Sequence, residues 1–277
     1  MGKKRMRIVL YSYLALLTLG CDSFSDNRAY SFFVAGHTYG SPSTDSLGLY
    51  PPFRATFPEL NADPLIVKGF LTGDIVKIPN EDAWDRVDLD LEKLDAPVSF
   101  APGNHDLKDY DLYQKRYAPL ARYFFIEDDL FVIPEVQMDG WSIEQNQLNF
   151  YAQLTANQAQ RIEHVFIFVH QVIFMDCVPL IPNSSEGRTE KLNFETAILP
   201  IIEATNKPTY LFAGDVGAFD WGTAVFYEQM NNVTYIASGM GGGVNDNYLI
   251  VDVGKDKSVK FRIIGLNGQE MRKIDDY

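Results

Sequence analysis

Two short stretches decide how the chain is read: Leu71-Thr72-Gly73-Asp74, and Ala101-Pro102-Gly103-Asn104-His105-Asp106. Each follows an apolar run, Leu65 to Leu71 and Pro97 to Ala101, and each breaks at a glycine, as strands do when they feed functional loops. A carboxylate, an amide and an imidazole thus fall where two strands end. In open α/β sheets that is where chemistry is placed, and this donor set suggests a metal site.

Working outward, further strand-like runs lie at Ala29 to Ala35, Val165 to Val169 and Thr209 to Ala213, each rich in Val, Ile, Phe, Tyr or Leu. Helical segments separate them. Asn80 to Leu94 has an N-cap at Asn80, acids in its first turn and apolar Trp84, Val87, Leu91 and Leu94 at helical spacing. Thr155 with Gln158 reads as a capping box opening a helix toward Ile162, and Asn193 to Ile202 reads as another helix. Tyr123 to Ile126 and Leu130 to Ile133 flank Glu127-Asp128-Asp129 and suggest a hairpin. Val225 to Tyr227, Thr234 to Ala237, Tyr248 to Val253 and Val259 to Ile264 suggest antiparallel strands closing the chain. The expectation is an α/β fold: a two-sheet mixed β-sandwich flanked by helices. Two irregular stretches, Tyr39 to Pro64 and Asp176 to Lys191, are either binding loops or connections that contain short helices.

The N-terminus carries Lys3, Lys4, Arg5 and Arg7, then an uncharged run from Ile8 to Leu19, then Gly20-Cys21. That run falls short of the roughly 20 apolar residues of a membrane-spanning helix, so residues 1–20 read as an export signal. A small residue before Cys21 resembles the lipobox of bacterial lipoproteins, which implies lipidation of Cys21 and a membrane-anchored place in the cell envelope; Asp22 resembles an inner-membrane retention signal. Residues 21–277 then form a single domain. Cys177 would be its only other thiol, which leaves no partner for an intramolecular disulfide.

The net charge is −13, and removing the leader takes away four positive charges and no negative ones. Such a surface repels phosphate backbones, so DNA or RNA is not an expected partner. Ser238 to Gly243 is glycine-rich but opens no helix, which excludes a dinucleotide fingerprint and favours a tight structural loop. No Gly-x-Ser-x-Gly elbow is present to support a serine esterase.

Three of the four histidines lie directly beyond apolar strands: His37 after Phe32-Phe33-Val34, His105 in its loop, and His170 after Phe166-Ile167-Phe168-Val169. Three imidazoles beside acids and an amide at similar strand ends point to a shared site. His164, in the C-terminal turn of the expected helix, reads as an exposed residue placed there by the helix dipole.

This order of motifs resembles the calcineurin-like metallophosphoesterase family, whose pattern runs Asp-x-His, Gly-Asp, Gly-Asn-His-Asp or Glu, a lone His, and Gly-His-x-His. The resemblance spans Ser31 to about Asp220. It implies a bridging carboxylate at Asp74, a second metal position formed by Asp74, Asn104, His170 and Asp215, and a His105 that protonates the leaving oxygen with Asp106 orienting its imidazole. The chain departs from the pattern at the first metal position, where Ala35 replaces the Asp, and in the last motif, where Asp215 and Gly217 replace the two His. The resemblance therefore implies one tightly held divalent ion, Mn²⁺, Fe²⁺, Zn²⁺ or Mg²⁺, with a weak or absent second ion near His37, recruited with Asp45 or Asp220. The implied activity is hydrolysis of a phosphomonoester or phosphodiester by a metal-activated water, with His37 positioning the phosphate. The alternative is a non-catalytic relative that binds an envelope glycan or protein.

Overall fold

A computed structural model describes residues 26–45, 47–176, 192–216 and 225–277. The leader, Cys21, Asp22, Cys177, Gly217, Asp220 and nearly all of the Asp176 to Lys191 stretch lie outside them. Among the described residues no helix is long and apolar enough to cross a membrane.

In chain order the elements are β1 (Arg28–Gly36), α1 (Pro51–Arg54), α2 (Phe57–Ala62), β2 (Ile66–Thr72), α3 (Glu81–Leu91), β3 (Val98–Phe100), α4 (Tyr110–Tyr117), β4 (Arg122–Ile126) and β5 (Asp129–Ile133). There follow α5 (Gln145–Gln158), β6 (Val165–Val169), α6 (Leu199–Ala204), β7 (Thr209–Ala213), β8 (Val225–Met230), β9 (Val233–Ser238), β10 (Asn247–Gly254) and β11 (Val259–Gly265). The first sheet runs β11-β10-β1-β2-β3, with β1, β2 and β3 parallel and the β10–β11 hairpin antiparallel to them. The second runs β4-β5-β6-β7-β9-β8, its four central strands parallel and both edge strands antiparallel.

The alternation along β1 explains the layering. Tyr30, Phe32 and Val34 join Phe131, Phe166, Phe168 and Phe212 in the core between the sheets, whereas Phe33 and Ala35 face outward into a core shared with Trp84 and Val87 of α3. A strand buried on both faces must be apolar almost throughout, which is how the run reads. Between the sheets the Phe70 and Phe168 rings stack at 3.8 Å, and Phe32 meets Phe166 edge-on at 5.1 Å. Outside the second sheet, Leu148 of α5 and Ile202 of α6 pack on Val165, Ile167 and Leu211. Helix, sheet, sheet, helix is the four-layer arrangement that the sequence predicts. An apolar cavity of about 50 Å³ remains between α5, α6 and the second sheet.

Asn80 caps α3 as expected, its side chain accepting the Ala83 N–H at 2.8 Å. The stretch from Tyr39 to Pro64 contains α1 and α2, each with proline in its first turn, where a missing N–H costs nothing. Two expectations fail. Thr155 opens no helix: it lies near the C-terminal end of α5, and its hydroxyl donates back to the carbonyl of Tyr151 at 2.8 Å. His164 is buried, not exposed: Nδ1 donates to Asp129 Oδ1 at 2.8 Å and Nε2 lies 3.0 Å from the Lys257 carbonyl. The other Asp129 oxygen accepts from Tyr30 Oη at 2.5 Å, so this buried group ties β1 of one sheet to β5 and β6 of the other.

The start of β1 is fastened by charge. Asp252 accepts from Ser31 Oγ at 2.6 Å and from Arg262 Nε at 2.7 Å, and Arg28 Nη1 reaches Asp63 Oδ2 at 2.5 Å. Burial pushes the Asp252 carboxyl up, but Arg262, Ser31 and Arg28 outweigh it and hold the pKa below the usual range. A carboxylate with a lowered folded pKa adds stability that is fully present above its unfolded pKa, about 3.9, and is lost as pH falls through the folded value. Asp252→Ala is expected to lower the unfolding free energy at pH 7 by about 2 kcal/mol, measured by urea titration, with a smaller penalty below about pH 4.

Candidate metal centre

The expected residues gather where β1, β2, β6 and β7 end. His37 follows β1, Asp74 follows β2, His170 follows β6 and Asp215 follows β7. His37 and Asp74 take left-handed backbone conformations, with φ of 53° and 49°, which non-glycine residues adopt only where the surroundings impose it. The loops are cross-tied: His37 N–H donates to the Gly73 carbonyl at 3.0 Å, and the N–H groups of Gly214 and Asp215 both donate to the His170 carbonyl at 2.9 Å. Gly214 is obligatory here, because a Cβ would stand 1.8 Å from the Thr72 carbonyl oxygen. The two sheets can therefore pinch together at the site.

Asp74 is buried and central, and its two oxygens face different imidazoles. Oδ1 lies 3.3 Å from His170 Nε2, and Oδ2 lies 3.5 Å from His37 Nε2. Asp215 Oδ1 lies 3.8 Å from His170 Nε2. Asn104 sits in the loop pinned on Asp74: the His105 N–H donates to Asp74 Oδ1 at 3.0 Å, and a Cβ on Gly103 would fall 2.3 Å from that oxygen. Asp45 is exposed on a neighbouring loop, and none of the described contacts joins it to His37.

Electrostatics follow from this geometry. Burial pushes the Asp74 carboxyl up, but His170, His37 and His105 together hold its pKa below the ordinary value. Burial lowers the pKa of His37 to about 4, against the pull of Asp74. For His170 burial is outweighed by Asp74 and Asp215, and the pKa is raised.

The donor set fits a cation. His170 Nδ1 lies 2.9 Å from the Thr72 carbonyl, which can only accept, so in the neutral ring the proton sits on Nδ1 and Nε2 is the nitrogen that can offer a lone pair to a cation. That Nε2 is buried without a hydrogen-bond partner and faces two carboxylate oxygens. Two ligands about 2.1 Å from one ion at a tetrahedral angle stand ~3.4 Å apart, the range of the separations found here. Among the described residues no three His, Cys, Asp or Glu side chains complete a metal cluster. His37 and His170 approach different oxygens of Asp74, and the remaining expected ligand, Asn104, is an amide.

A crystal structure of a dimetal phosphatase from Danio rerio superposes with a TM-score of 0.64 at 13% identity, covering 86% of this chain and 96% of the other. The chain has the metallophosphoesterase fold. A candidate 5′-nucleotidase from Staphylococcus aureus, at 11% identity and a TM-score of 0.44, matches over 90% of this chain and 55% of its own. No protein-family model matches the chain, and no curated protein matches it in sequence.

One expected contact on this metallophosphoesterase scaffold is absent. Asp106 does not orient His105. Its carboxylate accepts the N–H groups of Ile75 at 2.8 Å, Val76 at 3.0 Å and Gly103 at 2.8 Å, fastening the loop after β2 to the loop after β3. Burial and the nearby Asp74 push the Asp106 pKa up to about 7, against the Gly103 and Val76 N–H groups and the nearby His170. The His105 imidazole is held by the Lys77 carbonyl instead, 2.6 Å from Nδ1. The sequence motifs also miss Tyr39, whose ring packs between those of His37 and His105 at centroid distances of 4.3 and 5.1 Å. Its only signal is a position two residues beyond His37. Finally, the N–H groups of Gly241, Gly242 and Gly243 all donate to Asp246, so this loop is closed on itself as a structural turn.

Proposed function

We propose that the protein is a metal-dependent phosphoesterase that hydrolyses a phosphomonoester or phosphodiester. The observation that carries this reading is Asp74, one buried carboxylate with an imidazole nitrogen against each oxygen. Asp74, Asn104, His170 and Asp215 would hold one divalent ion. When bound, that ion supplies Lewis acidity and lowers the pKa of water.

The chain's own groups do the rest. The Thr72 carbonyl fixes the tautomer of His170, as an outer partner of a ligand does. Because Nδ1 of His105 donates to Lys77, a proton on Nε2 is the one that His105 can pass to a leaving oxygen. His37, with Ala35 in place of a carboxylate two residues before it, is left to contact phosphate oxygens. Burial of His37, Asp74 and His170 keeps bulk water from the Asp74 carboxylate.

We place the protein in the cell envelope, tethered through lipid on Cys21, on the support of the basic leader, the uncharged run from Ile8 to Leu19, and Gly20-Cys21. Ala35 is also the residue that favours a second reading, a non-catalytic relative that keeps the scaffold and binds an envelope glycan or protein. A panel of phosphomonoesters and phosphodiesters, assayed with Mn²⁺, Fe²⁺, Zn²⁺ and Mg²⁺ in turn, separates the two. Turnover that a chelator abolishes is expected. Stoichiometric metal with no turnover on any ester would favour the binding protein.

A further inference from the structure

The three imidazoles at the site are oriented in two different ways. His105 and His170 each hold Nδ1 against a backbone carbonyl, that of Lys77 at 2.6 Å and that of Thr72 at 2.9 Å. His37 has no such anchor. Its Nδ1 is buried without a hydrogen-bond partner, and its Nε2 lies 3.5 Å from Asp74 Oδ2, longer than an ordinary hydrogen bond. The terminal torsion of a histidine is broad, so a ring that no hydrogen bond fixes must be set by packing. The ring packed on it is that of Tyr39, with centroids 4.3 Å apart and planes tilted by 50°.

Tyr39 is itself held firmly. It is buried, and it sits in a tight turn in which the Gly40 N–H donates to the His37 carbonyl at 2.9 Å. Its own N–H donates to the Asp74 carbonyl at 3.0 Å, and the Tyr50 N–H donates to the Thr38 carbonyl at 2.7 Å. Gly40, with φ of 77°, permits that turn, and a Cβ on it would stand 2.2 Å from the ring of Tyr50. The phenol therefore has a fixed place beside the imidazole that follows β1. It also packs on the His105 ring, at 5.1 Å and a tilt of 44°. One aromatic ring thus adjoins both the group assigned to phosphate and the group assigned to the leaving oxygen.

We infer that Tyr39 is a positioning residue: its ring sets the orientation of the His37 imidazole and its spacing from His105, so that phosphate is held where His105 can protonate the leaving oxygen. This rests on the phosphoesterase reading, which gives His37 its contact with phosphate. The ring contacts carry the inference, so phenylalanine should serve in place of tyrosine. A misplacement of about 1 Å at a reacting centre costs about 10²-fold in rate, so a residue that only holds His37 can matter nearly as much as one that touches substrate.

A double-variant cycle on phosphate binding tests the inference without requiring turnover. Inorganic phosphate is titrated calorimetrically into the Mn²⁺-loaded protein as wild type, Tyr39→Phe, Tyr39→Leu, His37→Ala and His37→Ala/Tyr39→Leu. Tyr39→Phe is expected to bind within about twofold of the wild type, and Tyr39→Leu about tenfold more weakly. Once His37 is removed, Tyr39→Leu is expected to change affinity by less than about twofold, because a residue that acts through His37 has nothing left to act on. A residue that merely supports the fold would weaken both backgrounds alike. Should Tyr39→Leu fail to fold, Tyr39→Met, which fills the space without a planar face, carries the same expectations. Equal losses in the two backgrounds, a Tyr39→Phe variant as weak as Tyr39→Leu, an unaffected Tyr39→Leu, or a wild type that binds no phosphate would overturn the inference. Turnover of phosphate esters is scored separately: turnover with independent Tyr39 and His37 effects leaves the phosphoesterase reading standing and removes this one, and coupled effects on binding without turnover do the reverse.

Discussion

Asp74→Ala is expected to abolish both metal retention and turnover while leaving the fold intact. The carboxylate is the one group that meets His37 and His170 together, at 3.5 and 3.3 Å, and it also accepts the His105 N–H. Its removal takes a direct ligand from the ion and the common anchor from two imidazoles and the His105 backbone. Loss of an outer partner of a ligand costs about 10–100-fold in metal affinity, so loss of this direct ligand should exceed about 100-fold. The measurement is a metal titration with the apo-protein, read beside a thermal melt. Since Asp74 is a buried carboxylate whose pKa its neighbours hold low and which accepts the His105 N–H, the melting temperature should fall in metal-free buffer while the protein stays folded at 25 °C. Undiminished affinity in the variant would show that the ion sits elsewhere.

His105→Ala has the second largest expected effect, and of a different kind. No metal ligand is removed, so bound metal should stay at the wild-type level while kcat falls by about 10²–10⁴-fold, the usual contribution of a positioned general acid. Substrates with good leaving groups, such as aryl phosphates, should lose less than alkyl phosphates, because their leaving oxygen has less need of a proton. An equal loss for both classes would contradict the assigned role. Asp106→Asn should behave differently again. Three backbone N–H groups depend on that carboxylate and His105 does not, so the expected change is a loss of about 1–3 kcal/mol in stability.

The strand ends were legible because local sequence forces them. Val165–Val169 is an apolar run between His164 and His170 and Thr209–Ala213 lies between Pro208 and Gly214, and the structure starts and ends β6 and β7 at those residues. Glycines at 73, 103 and 214 mark turns that no larger residue could make, and Asp74, His105 and Asp215 follow within two positions of them. The grouping of His37, Asp74, His170 and Asp215 is thus a consequence of sheet order: β1 and β2 are neighbours in one sheet, β6 and β7 in the other, and all four end on the same side.

What sequence could not show depends on partners far along the chain. His164 is buried because Asp129, 35 residues earlier, and the Lys257 carbonyl, 93 residues later, satisfy its two nitrogens. No local pattern encodes either contact. Asp106 adjoins His105 in sequence and suggests a pair, yet one oxygen of its carboxylate is filled by two N–H groups some 30 residues before it and the other by the N–H of Gly103. Thr155 misled for a related reason. A hydroxyl three residues before Gln158 matches a capping signature, but α5 had already begun at Gln145, and in a continuing helix the hydroxyl turns back to the preceding turn.

The central claim is that Asp74, Asn104, His170 and Asp215 grip one divalent cation. Elemental analysis of the purified protein, wild type beside Asp215→Ala, tests it most directly. One equivalent of a divalent metal per chain in the wild type, falling well below one in the variant, is the predicted result. A wild-type protein that carries no metal after incubation with Mn²⁺, Fe²⁺, Zn²⁺ and Mg²⁺, or an Asp215→Ala variant that retains a full equivalent, would contradict it.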